Sequence, residues 1–106
     1  MRKSKWRNVE YYHNKLKMPE ISGVYVLYFT NILADFKELV YIGRSTNIAK
    51  RFSGHKLYYE LLKQEDGYNR YLAAKVKETE CHKELEKLLI QKLRPKYNKV
   101  FNWGII

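Results

Sequence analysis

The chain has 106 residues, room for one domain and not comfortably two. Its 21 Lys and Arg against 11 Asp and Glu leave a formal charge of +10, which points to polyanionic partners, nucleic acid first. A single cysteine, Cys81, excludes an intrachain disulfide framework, and no apolar run approaches the roughly 18 residues of a membrane span.

Residues 1–17 form a basic N-terminal extension. Trp6, Val9, His13 and Leu16 recur at steps of three and four, the spacing of a short amphipathic helix. A frayed terminus with a solvated basic face is the equal alternative. The segment lacks an apolar signal core, so a cytoplasmic, intracellular protein is expected, with no membrane partner. Pro19 punctuates, and residues 18–106 are read as the domain proper.

Gly23 to Thr30, GVYVLYFT, reads as a strand apolar on both faces and therefore central in its sheet. Glu38 to Gly43, ELVYIG, is a second strand, expected to form a hairpin with the first. The connecting loop does not fix the register, so whether Tyr25 and Tyr41 share a face stays open. Ser45 or Thr46 can cap a helix from Asn47 to Leu62. Gly54 inside it signals a packing or functional reason for a missing side chain, or a break. Tyr71 to Lys77 is a weaker third strand. Thr79 can cap a last helix to about Leu93, with Cys81, Leu85, Leu88, Leu89 and Leu93 as its core stripe. Pro95 ends it, and the apolar tail KYNKVFNWGII is expected to pack on the sheet. The β-β-α-β-α order implies an α+β fold, a small three-stranded antiparallel sheet with helices packed on it.

Strand tyrosines more often pack than react, and a helix glutamate is more often solvated than a ligand. Other residues shift that balance. Arg51 and His55 are four apart, one helix face. Glu86 borders the last helix's stripe, and Asn98 lies where the chain turns after Pro95. Cys81-His82 with His13 or His55 lacks zinc-site spacing, and Cys81 reads as a small core residue.

GVY at 23–25, YIG at 41–43, KR at 50–51, His55, Glu86 and RPKYN at 94–98 together resemble the GIY-YIG nuclease family. The similarity runs from about Met18 to Asn98. Val24 replaces the isoleucine of the family's name, and Arg44 stands where repair-type members usually carry lysine. The resemblance implies a metal-dependent endonuclease acting on double-stranded or branched DNA. It implies that Glu86 binds one Mg²⁺ or Mn²⁺ ion per site and that Arg51 holds the phosphate. Tyr41 is then the favoured general base, Tyr25 orients the water or phosphate, and His55 assists proton transfer or bonds a phosphate. Gly23, Gly43 and Asn98 would support the site. Arg44, Lys50, Lys56, Lys87 and Lys96 would face DNA. A homodimer or a targeting partner would supply specificity. The alternatives are a non-catalytic nucleic-acid-binding module of this fold and a small basic RNA-binding protein.

Overall fold

A computed structural model describes residues 5–12 and 15–98. The elements in chain order are β1 (Arg7–Asn8), β2 (Tyr11–Tyr12), β3 (Lys15–Leu16), β4 (Gly23–Thr30), β5 (Lys37–Ser45), α1 (Ile48–Ser53), α2 (Lys56–Leu62), a 3-10 turn (Gly67–Asn69), β6 (Tyr71–Glu78) and α3 (His82–Leu93). The fold is α+β. Its main sheet is antiparallel, in the order β1-β6-β4-β5, with four strands where the sequence led us to expect three.

The extra strand comes from the N-terminal segment. β1 pairs with β6, Arg7 opposite Val76 and Asn8 opposite Lys75. Tyr11 then pairs with Leu16, and Tyr12 with Lys15, in a small two-stranded ribbon. No helix forms among the described residues of 1–17. The β6 edge offers unpaired backbone groups, and pairing satisfies them where a short helix would have to satisfy its own ends. His13 and the tail beyond Asn98 lie outside the described residues.

β4 is central, flanked by β5 and β6. Tyr25, Leu27 and Phe29 point to one face, where they join Leu72, Ala74 and Val76 of β6. Ile48, Phe52, Tyr58 and Leu61 of α1 and α2 close that core, with Leu16 and Met18. The other face carries α3, which packs on β5 and β4 over the fully buried Val24 and Ile42.

α3 covers its face thinly. Leu88 and Leu93 are about half exposed, and among the helix's residues only His82 is buried. The expected leucine stripe is thus only partly a core. Cys81 is exposed rather than buried, because it sits at the N-cap position outside the helix's packed side. The Thr79 hydroxyl accepts the Cys81 N–H at 3.1 Å, forming the turn that leads into α3.

Gly54 marks a break. Space around it is open, so no neighbour demands the missing side chain. α1 ends at Ser53, and His55 caps a new helix. The cap of α1 is Asn47, whose Oδ1 accepts the Lys50 N–H, while Ser45 Oγ accepts the Asn47 N–H.

Asn98 closes the open edge of β5. Its Oδ1 accepts the Ile42 N–H at 2.6 Å and its Nδ2 donates to the Ile42 carbonyl at 2.7 Å. One amide thereby satisfies both backbone groups of an edge residue, as a neighbouring strand would. Asn98→Ala strands both groups in a buried setting. Denaturant titration should show a loss of about 2–4 kcal/mol, the range for two unmade buried hydrogen bonds.

Candidate active site

The β4–β5 register decides which tyrosines meet. Tyr25 lies opposite Gly43, and Leu27 opposite Tyr41. Both tyrosines therefore share the core face, diagonally placed, with ring centroids 6.1 Å apart. The register then shifts, so that Tyr28 faces Leu39 and Val40 becomes the extra residue. Such a bulge lets the adjacent Val40 and Tyr41 join the same core cluster, where strict alternation would send them to opposite faces.

Gly43 is where Tyr25 needs room. A methyl group there would overlap the end of the Tyr25 phenol. The close approach is thus to a side chain rather than to backbone. Gly43→Ala should displace the Tyr25 ring and destabilise the fold by roughly 1–3 kcal/mol, the cost of overpacking. The near-ultraviolet signal of the tyrosines should change with it. Gly23 has a separate role, since a methyl there would overlap the Lys77 carbonyl across the β4–β6 pair.

Three charged or polar groups act on this pair of phenols. Arg51 hydrogen-bonds Tyr25, and Tyr25 hydrogen-bonds Tyr41. The charges of Arg51 and Glu86 both reach Tyr25 and Tyr41. Burial pushes the Tyr25 phenol well above its ordinary range, and the neighbouring Tyr41 adds to that, against the cation of Arg51. Tyr41 is raised by burial first and by Glu86 second, while Arg51 and the Tyr25 hydrogen bond pull it down. His55 packs edge-on against Tyr41, with centroids 5.2 Å apart and planes at 81°. Burial, then Arg51, lowers its pKa to about 4.

Arg51 and His55 do not share a helix face. Arg51 is exposed at the end of α1, and His55 is buried at the start of α2. The break at Gly54 turns the histidine inward, so both side chains still reach the tyrosines from different elements.

Glu86 comes from the opposite face of the sheet, on α3. It lines an open cleft of about 440 Å³ with Arg44, Lys83, Lys87, Ile90 and Gln91. Arg44 Nε lies 3.3 Å from Glu86 Oε1. Burial lifts the Glu86 carboxyl above its usual range, and Arg44, with a smaller contribution from His82, only partly offsets this. Among the described residues no group of three or more His, Cys, Asp and Glu could enclose a metal. Glu86 could hold a hydrated hard cation such as Mg²⁺, which needs only one or two carboxylates and keeps several waters.

The other expected DNA contacts are spread out. Lys87 borders the Glu86 cleft, and Lys50 and Lys56 are exposed on α1 and α2. Lys96 lies over its neighbour Tyr97, 5.5 Å from the ring centre. The basic run Lys83, Lys87, Lys92, Arg94 and Lys96 reads from the sequence equally as a solvated face or a phosphate track, and of it Lys83 and Lys87 line the Glu86 cleft. His82, weighed from the sequence only as a zinc ligand, is legible as an α3 neighbour of Glu86, four residues before it.

No helix among the described residues is long and apolar enough to cross a membrane. Neither the curated proteins nor the solved structures give a match to this chain. The family model described as the GIY-YIG catalytic domain does match, over residues 21–98, from just before β4 to the Asn98 anchor. That span takes in both tyrosines, Arg51, His55 and Glu86, and it covers most of the sequence, so the chain belongs to the GIY-YIG family, a nuclease-type family.

Proposed function

We propose that this chain is a metal-dependent endonuclease that hydrolyses DNA phosphodiester bonds. The reading is supported by the charges of Arg51 on α1 and Glu86 on α3, which act from the two sides of the sheet on the same Tyr25–Tyr41 pair. Arg51 has further N–H donors beyond the one given to Tyr25, and these suit the non-bridging oxygens of a phosphate. Tyr25 donates to Tyr41, so negative charge on the Tyr41 oxygen is supported by the Arg51–Tyr25 chain. Tyr41, as phenolate, takes the proton of the attacking water. Glu86 would hold the divalent ion. When bound, such an ion supplies positive charge to the scissile phosphate and the departing oxygen. Lys83, Lys87 and Arg44 flank the Glu86 cleft and suit the phosphates of the same strand. One such centre cuts one strand.

One observation favours a second reading, a binding module without catalysis. Arg44 already engages Glu86 and could stand in for a metal. A cleavage assay across plasmid, flap, junction and single-stranded DNA, with and without Mg²⁺ or Mn²⁺, separates the two. The nuclease reading expects metal-dependent nicking of at least one substrate. Retention of DNA at fixed salt with no cleavage under any metal would favour the binding module.

A further inference from the structure

The break at Gly54 does more than reorient His55. It makes the imidazole a helix cap, and that settles which ring nitrogen carries hydrogen. His55 is only 7% exposed. Its Nδ1 accepts the Tyr58 N–H at 3.3 Å, closing the first turn of α2. Only an unprotonated ring nitrogen can accept, and neutral imidazole carries one hydrogen, so that hydrogen sits on Nε2. This Nε2 is buried and has no hydrogen-bond partner among the described residues. A buried donor left unanswered costs free energy, and in a native protein such an atom calls for a reason.

The surroundings supply one. Three rings wall the imidazole: Tyr41 with its centroid at 5.2 Å, Phe52 at 5.5 Å and Tyr25 at 6.0 Å. Two of these are the phenols of the site. Phe52 offers only packing. The orphan donor thus sits in the phenol cluster, where negative charge would develop on oxygen.

We infer that His55 is a fixed, neutral Nε2–H donor that stabilises negative charge on the Tyr41 oxygen, and that it does not accept the proton itself. The inference rests on the cleavage reading above for what Tyr41 does. It follows from hydrogen count. Nε2 already holds a hydrogen and has no lone pair to offer. Nδ1 could take a proton only by giving up the cap. The groups facing the ring are Tyr25 from β4, Tyr41 from β5, Arg51 from α1 and Tyr58 from α2. None is an anion in its ordinary state, and Arg51 is a cation, so imidazolium finds no support there. The downward pKa shift agrees with this arrangement. His55 is accordingly a positioning residue acting through Tyr41.

Two substitutions separate the two nitrogens. Asparagine at 55 can place its oxygen near the Nδ1 position and keep the cap, but has nothing at Nε2. Glutamine can reach the Nε2 position with an N–H donor, but gives up the cap. His55→Asn should fold and bind DNA like the wild type, yet lose roughly tenfold or more in kcat with KM unchanged. His55→Gln should melt lower and still retain more kcat than the asparagine variant. Nitrogen-15 NMR of the full chain should show Nε2 protonated and Nδ1 bare, with no His55 titration across about pH 5–8, where an ordinary histidine titrates. A protonated Nδ1, a titration near the ordinary histidine value, or wild-type kcat in the asparagine variant would overturn the assignment. If the wild-type chain cuts no substrate, the cleavage reading falls, and the NMR tautomer alone then supports or overturns the donor assignment.

Discussion

Glu86→Ala should remove the proposed metal-dependent nicking, by on the order of 10²–10³-fold or to background, while leaving the fold and DNA retention nearly unchanged. The asymmetry follows from where the carboxylate sits. Among the described residues that line the α3 cleft it is the one carboxylate. Its contribution to folding is small for a different reason. Burial disfavours its charge, and Arg44 compensates only in part. The pair is also partly solvent-exposed, so its loss should cost no more than roughly 1 kcal/mol, the range of exposed ion pairs. DNA retention should survive because Arg44, Lys83 and Lys87 remain and lose a competing negative charge. Plasmid nicking with a metal titration, paired with a gel shift at fixed salt, measures both halves. Unchanged nicking in this variant would remove Glu86 from the mechanism.

Tyr41→Phe is the second large effect, a loss of roughly 10²–10⁴-fold, the usual worth of a general base. The fold should tolerate it, since the ring's packing against Tyr25 and His55 is kept. The pH dependence carries more information than the loss. Burial and Glu86 hold the Tyr41 phenol above its ordinary value, so at neutral pH only a small fraction is phenolate. A base works in its deprotonated form. Wild-type rate should therefore climb with pH, near tenfold per unit, until the raised pKa is passed. A cation bound at Glu86 would cancel one of the two raising causes and bring that limb to lower pH. Tyr25→Phe should lose less and push the limb higher, because it deletes a donor to Tyr41. A flat profile in the wild type would exclude Tyr41 as the titrating base.

The chain's own letters carried much of this. The alternating apolar faces of GVYVLYFT marked a central strand, and the structure has it flanked on both sides. The weak period over residues 1–17 suggested a helix or a frayed terminus, and the described residues of that segment form short strands instead. An open β6 edge decided that segment, and an edge is a property of the assembled sheet. The leucines of α3 read as a full core stripe, but the helix meets only part of the sheet and leaves Leu88 and Leu93 half exposed. A hydrophobic period tells which side of a helix faces inward. It does not tell how much surface lies opposite.

The site divides along the same line. Sequence alone determined which residue types stand where: two tyrosines near glycines on adjacent strands, a cation and an imidazole on the following segment, a carboxylate on the last helix, an asparagine after the proline. Those are local facts of order and spacing. Tertiary structure decided that Tyr25 and Tyr41 share a face, because register and the bulge at Val40 are set by packing across strands. It decided that Gly43 exists to seat a phenol, and that Asn98 closes the edge at Ile42 from 56 positions away. It also decided the chemistry of His55. The same histidine on an unbroken helix would keep both ring nitrogens open, and the break at Gly54 commits one of them to the backbone and leaves the other buried with no hydrogen-bond partner among the described residues.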